Sequence, residues 1–235
     1  MSEYCLFCHE EMIEHISWST FFTQREETAL CSTCQDQLEE ISGERCEICS
    51  RPLEKLDPQY VIGKRCSDCV RWEEEEEWKG YLQSNLSIYL YNDFLKELIS
   101  QYKFRGDYIL AKVFSKKLQT YLQKISFDYV VPIPLSAERQ FERGFNQSEA
   151  LIQEAGYHPT QLLQRTHSEK QSKKSRSDRI HLPQIFQILD ASELKNKNIL
   201  LVDDIYTTGS TLRHAAKILK KEGAKSISAL TIARG

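Results

Sequence analysis

The sequence predicts an α/β protein in which a parallel-sheet domain is preceded by a small cysteine-rich module held by metal. Three observations carry this reading. An unbroken apolar run, Ile199, Leu200, Leu201 and Val202, is followed by two acids, a small-residue loop and an amphipathic helix. All eight cysteines fall in four CxxC pairs, none beyond residue 69. The charge is also divided: residues 1–80 carry 8 Lys plus Arg against 19 Asp plus Glu, a balance of −11, whereas residues 81–235 carry 23 against 15, a balance of +8. A chain of 235 residues has room for one small module and one α/β domain of ordinary size.

The cysteine pairs are Cys5/Cys8, Cys31/Cys34, Cys46/Cys49 and Cys66/Cys69. Two-residue spacing lets both thiolates of a knuckle reach one tetrahedral ion, and four knuckles complete two closed four-thiolate sites with no open position for catalysis. Two structural Zn2+ ions are therefore expected. Disulfides and thioredoxin-type redox pairs are the alternatives. No signal peptide or membrane-length apolar run is present, which points to a reducing, cytoplasmic setting, and no βαβ pattern surrounds the pairs. The simplest pairing joins Cys5, Cys8, Cys31 and Cys34, then Cys46, Cys49, Cys66 and Cys69, as a tandem double ribbon over residues 1–70. A cross-braced pairing of alternate knuckles is left open by spacing alone. His9 and His15 are read as surface residues beside complete thiolate sets.

Residues 71–81 form an acidic linker, with five successive glutamates between Trp72 and Trp78, read as a solvated helix or, most simply, a solvated connection. The second domain is expected over 82–235. Apolar–polar alternation at 87–90 predicts a strand. Phe94, Leu95, Leu98, Ile99 and Tyr102 then recur at helical spacing. Lys103, Phe104, Arg105, Gly106 and Asp107 mark a loop. A second helix follows through Leu110, Val113, Phe114, Leu118 and Tyr121, and Tyr129, Val130 and Val131 predict the next strand. Pro132 and Pro134 end it, since proline cannot donate to a ladder. Arg139 and Arg143 precede Gly144, Phe145, Asn146 and Gln147, after which Ala150, Leu151 and Ile152 begin a helix face. The serine- and lysine-rich stretch 165–179, with Lys170, Lys173, Lys174 and Arg176, is expected to be mobile; His167 and His181 beside it carry no catalytic spacing.

The run Ile199–Val202 reads as a strand covered on both faces of a parallel sheet. Asp203 and Asp204 sit at its carboxyl end, where open α/β sheets bind ligands. Thr207, Thr208, Gly209, Ser210 and Thr211 can wrap a phosphate at the mouth of a helix whose stripe is Leu212, Ala215, Ala216 and Leu219, with Gly223 ending it. Acids beside a phosphate cradle are tolerable if they accept hydrogen bonds from a vicinal diol or hold a divalent metal. The spacing thus suggests a ribose 5-phosphate.

Strand, paired acids, TTGST and helix together resemble the PRPP-binding loop of the type I phosphoribosyltransferases. The PIP segment at 132–134, the RGFNQ at 143–147 and the cysteine-rich start resemble the ComF family, competence-associated relatives of those enzymes, over nearly the whole chain. The resemblance implies a type I phosphoribosyltransferase-like domain that binds PRPP with Mg2+ through Asp203, Asp204 and Thr207–Thr211. It also implies a role in uptake of transforming single-stranded DNA, with turnover of PRPP as the alternative. Arg139, Arg143, Lys103 and Arg105 would meet pyrophosphate or DNA phosphates, with Tyr102, Phe104 and Phe145 as stacking faces. The acidic zinc module would repel DNA and is read as a docking surface. Its implied partner is the competence helicase-like ATPase (ComFA-like).

Overall fold

A computed structural model describes residues 4–12, 28–104, 107–166, 185–192 and 194–235. Arg105, Gly106, His15, His167, His181 and all but the first two residues of the basic stretch 165–179 lie outside the described residues.

The core is a four-stranded, fully parallel sheet. β3 (Ser84–Leu90), β4 (Tyr129–Pro132), β7 (Asn198–Tyr206) and β8 (Ser226–Arg234) run in the order β3-β8-β7-β4. Parallel neighbours need crossovers, and the helices α3 (Asp93–Phe104), α4 (Ala111–Leu122), α6 (Gln147–Glu154) and α7 (Ser210–Lys221) supply them. Both expected faces of the central run are covered. Leu200 and Val202 pack with α3, α4 and α6, while Ile199 and Leu201 pack with Leu212, Ala215, Ala216 and Leu219 of α7. Gly223, at φ +99°, follows the end of α7 as expected.

β7 runs four residues past the expected strand and includes both acids, because Asp203, Ile205 and Tyr206 continue the register with β8. β4 stops earlier, at Pro132 opposite Val202. Among the described residues no strand pairs with that side of β7 beyond Val202. β8 and a short antiparallel pair, β5 (Leu163–Arg165) with β6 (Phe186–Ile188), were not anticipated by the sequence reading.

The cysteine segments do not stand apart from the sheet. The first packs with Ile88, Tyr89 and Leu95 on one face, and the second joins Ile199, Leu201 and Tyr206 on the other. Residues 39–41 also pair with the free edge of β3: Ile41 N–H donates to Ile88 O at 2.9 Å and Leu90 N–H to Glu39 O at 2.8 Å. An otherwise open sheet edge is thereby covered.

Residues 71–81 do not form a solvated connection. Arg71 to Glu74 belong to α2 (Ser67–Glu74), and Trp72 and Trp78 are buried with their rings 5.4 Å apart. Glu73 and Glu77 pair with Arg213 and Lys217 of α7 at 2.8 and 2.7 Å. The charge of the glutamate run is plain in the sequence, but nothing there signals that its first and last members face a basic helix.

Candidate functional site

The cysteines gather as Cys5, Cys8, Cys31, Cys34 and as Cys46, Cys49, Cys66, Cys69, with the sulfurs of each set within 4.8 Å of one another. Successive pairing is therefore the observed one, and the cross-braced alternative is not. Cys8 Sγ and Cys31 Sγ are 3.7 Å apart, as are Cys49 Sγ and Cys66 Sγ. A tetrahedral ion with Zn–S bonds of about 2.3 Å places its sulfurs about 3.8 Å apart. The donor set and spacing thus fit a closed structural zinc site. The two knuckles share their local geometry: His9 N–H donates to Cys5 O and Ser50 N–H to Cys46 O, both at 3.0 Å, and both residues have φ near +60°. Hydrogen bonds from Cys49 first, then Cys66, pull Cys46 below the usual thiol range, and bonding with Cys46 pushes Cys69 above it. A divalent ion would replace those shared protons.

At the end of β7, Asp203 and Asp204 diverge in partners. Asp204 is buried and meets Lys103 Nζ of α3 at 2.5 Å. Asp203 Oδ1 accepts from Ser148 Oγ at 3.2 Å and from the Asp204 N–H at 2.9 Å. Burial, and then the neighbouring Asp204 carboxylate, push Asp203 up to about 7. Thr207 is exposed, Thr208 Oγ1 accepts the Ser210 N–H at 3.4 Å, and Gly209 takes φ +80° as the N-cap of α7. A Cβ at Gly209 would lie 2.1 Å from the Tyr206 hydroxyl, so only glycine fits.

Lys103, Arg139 and Arg143 line one cleft of about 700 Å³ with Tyr91, Lys96 and Ser100. The arginines are carried by α5 (Ala137–Arg143), a helix that Ser136 caps by accepting the Arg139 N–H at 3.3 Å. Gly144, at φ +78°, ends it. Asn146 then caps α6 through the Ser148 N–H at 2.9 Å and donates to Ile133 O at 3.1 Å. Gln147 Oε1 accepts from Arg143 Nη1 at 2.8 Å, while the buried Gln147 Nε2 has no partner. The RGFNQ run is therefore largely the joint that aims Arg143 and Ser148.

Three residues depart from their expected surroundings. Lys103 is committed to Asp204. Tyr102 is buried and donates to Gln147 O at 2.7 Å, so it presents no stacking face. Phe145 packs 5.5 Å from Tyr102 and 5.2 Å from Tyr108. Two residues not anticipated by sequence, Ser148 and Arg165, join the site. Arg165, whose burial lowers its pKa, lies within electrostatic reach of Asp203, Arg139 and Arg143.

A parallel sheet with paired acids at one strand end and a glycine-pinned loop opening the next helix defines a phosphoribosyltransferase-type domain. The family model "Phosphoribosyl transferase domain" matches residues 109–235. Over its full extent the chain belongs to the ComFC family. It is 36% identical to Competence protein ComFC of Bacillus subtilis, covering 98% of this chain and 94% of that one. To Competence protein ComFC of Streptococcus pneumoniae it is 35% identical, covering 98% and 99%. A solved hypoxanthine phosphoribosyltransferase of Staphylococcus aureus overlaps 53% of this chain and 62% of its own at 20% identity, with a TM-score of 0.34. Among the described residues no helix is long and apolar enough to cross a membrane.

Proposed function

We propose that this protein binds PRPP with Mg2+ at the end of β7 and acts in the uptake and handling of transforming single-stranded DNA. The observation that carries the first half is a pair of acids followed by a glycine-pinned loop at one strand end, with Lys103 paired to Asp204 and Arg143 within electrostatic reach of both acids. The competence names of its relatives support the second half.

The ribose hydroxyls donate to Asp203 and Asp204, and the 5-phosphate accepts from the N–H groups and hydroxyls of Thr207 to Thr211. Gln147 Nε2 is a spare buried donor next to Arg143. Arg139 and Arg143 meet the pyrophosphate by forked hydrogen bonds. Lys103 turns toward it as the diol takes over its acceptor on Asp204. Mg2+ supplies charge neutralisation at the pyrophosphate, with the two carboxylates as this chain's oxygen donors.

A second reading, turnover, is favoured by the presence of both acids at the site. A nucleophile would form a bond to the anomeric carbon as the carbon–oxygen bond to pyrophosphate breaks. Asp203 or Asp204 would favour the positive charge on the ring.

Single-stranded DNA runs along the same cleft, where Lys96, Lys103, Arg139 and Arg143 outnumber Asp93 and Glu97. The acidic cysteine module is placed as the dock for a basic competence helicase-like ATPase. A reducing cytoplasm is the setting that suits this reading, because free thiolates persist there to hold metal. Calorimetric titration with PRPP and Mg2+, with and without a short single-stranded oligonucleotide, tests this reading. Saturable PRPP binding is expected. Salt-sensitive oligonucleotide binding without any PRPP binding would overturn the sugar-phosphate half.

A further inference from the structure

The second cysteine set lies directly beneath the phosphate loop. Cys66 caps α2 and Cys69 lies in its first turn, so the same helix that completes the metal site carries Trp72 and Glu73. Trp72 Nε1 donates to Thr208 O at 3.1 Å, gripping the loop from below. Arg213, in the first turn of α7, is fully buried; its Nη1 meets Glu73 Oε1 at 2.8 Å and its guanidinium lies 5.0 Å from the Trp72 ring. On the other side, Tyr206 fills the space under Gly209, and Arg234 lies 5.0 Å from the Tyr206 ring.

These contacts leave an electrostatic deficit. Arg213 pairs with one carboxylate, Glu73, while the buried Arg234 meets a neutral acceptor, its Nη1 donating to Tyr206 O at 3.2 Å. Arg213 Nε and Nη2 and Arg234 Nε have no partner. Buried cations of this kind are costly unless a negative group offsets them. Four thiolates around one divalent ion carry two excess negative charges by simple valence. Cys69 lies within electrostatic reach of Arg213 and Tyr206, and Cys49 within reach of Arg234. Among the described residues the first set packs in the other core cluster, against Phe94 and Leu95 on the opposite face.

We propose that the metal held by Cys46, Cys49, Cys66 and Cys69 is the counter-charge and footing of the phosphate loop, so that loop order depends on this site's occupancy and not on that of the first set. By linkage, a ligand that orders the loop tightens that metal in turn. This second clause rests on the PRPP reading above; the first does not.

Hydrogen exchange on the wild-type chain tests it while a chelator withdraws metal, since peptides from each cysteine set report which ion has left. Exchange across 199–212 is expected to quicken about tenfold together with 46–69 and independently of 4–12. A loop that follows the first set, or stays protected after the second metal has gone, would overturn the proposal. Trp72→Phe keeps all eight thiolates and removes the hydrogen bond to Thr208. It should retain two equivalents of zinc and still loosen the loop severalfold; unchanged exchange would remove Trp72 from the coupling. Mg2+ and PRPP should slow release of the second metal alone. If calorimetry shows no PRPP binding while the loop still tracks that metal, the ligand reading fails and the coupling stands.

Discussion

Replacing Gly209 by alanine probes how the phosphate loop is held. The residue sits at φ +80°, where a side chain costs about 1–2 kcal/mol. Its new Cβ would also stand 2.1 Å from the hydroxyl and 2.4 Å from Cζ of Tyr206. That ring is 2% exposed, with Arg234 lying over it, so it has little room to retreat. Overpacking of this kind costs about 1–3 kcal/mol. Together the two effects amount to about 2–5 kcal/mol, a fall in melting temperature on the order of 10 °C for a domain of this size. Thermal unfolding by circular dichroism reads that fall, and binding of PRPP should weaken in parallel. Stability within about 0.5 kcal/mol of the parent would refute the argument. It would mean that the loop is loose enough to swing its backbone away from Tyr206.

Three further outcomes are expected. Asp203 keeps its proton up to about pH 7 when folded, whereas an unfolded aspartate loses it near about pH 4. Its contribution to stability is therefore full below the unfolded value and is lost as pH rises through that window. PRPP, needing the ionised acid, should bind more tightly at about pH 8 than at about pH 6. A pH-independent affinity by calorimetry would count against Asp203 as a ribose acceptor. Lys103→Met strands the buried Asp204 carboxylate, which should cost about 1–3 kcal/mol in denaturant unfolding; an unchanged midpoint would show the pair to be idle. Exchanging Arg139 and Arg143 for Gln should reduce the salt slope of oligonucleotide binding by about 1.4, the release expected for two single-strand phosphate contacts. An unaltered slope would move DNA off this cleft.

Periodicity made most of the framework readable. The run Ile199–Val202, the stripe of α7 and the spacing of Phe94 to Tyr102 each record burial on a definite face, and burial is what selects residue type. The cysteine sets were legible because metal geometry dictates ligand spacing. β8 was missed although Ser226–Arg234 alternates in part, since its small residues Ser228, Ala229 and Ala233 weaken the pattern. What sequence could not show is which charges face each other across long separations. Glu73 is 140 residues from Arg213, and Lys103 is far along the chain from Asp204. Glu73 read as part of a solvated run and Lys103 as a phosphate contact, and only the packing of α2 and α3 makes them partners of Arg213 and Asp204. Tyr102 erred in the reverse sense: beside a basic pair it read as a stacking face, but the helical stripe that also contained it had already placed it inside.

The central claim is that Asp203 and Asp204 receive the ribose of PRPP. Calorimetry of the parent protein and of Asp203→Asn and Asp204→Asn, each first shown to be folded with its metal retained, tests it most directly. The account predicts Mg2+-dependent binding to the parent and its loss in both variants. Undiminished binding in either variant would contradict it.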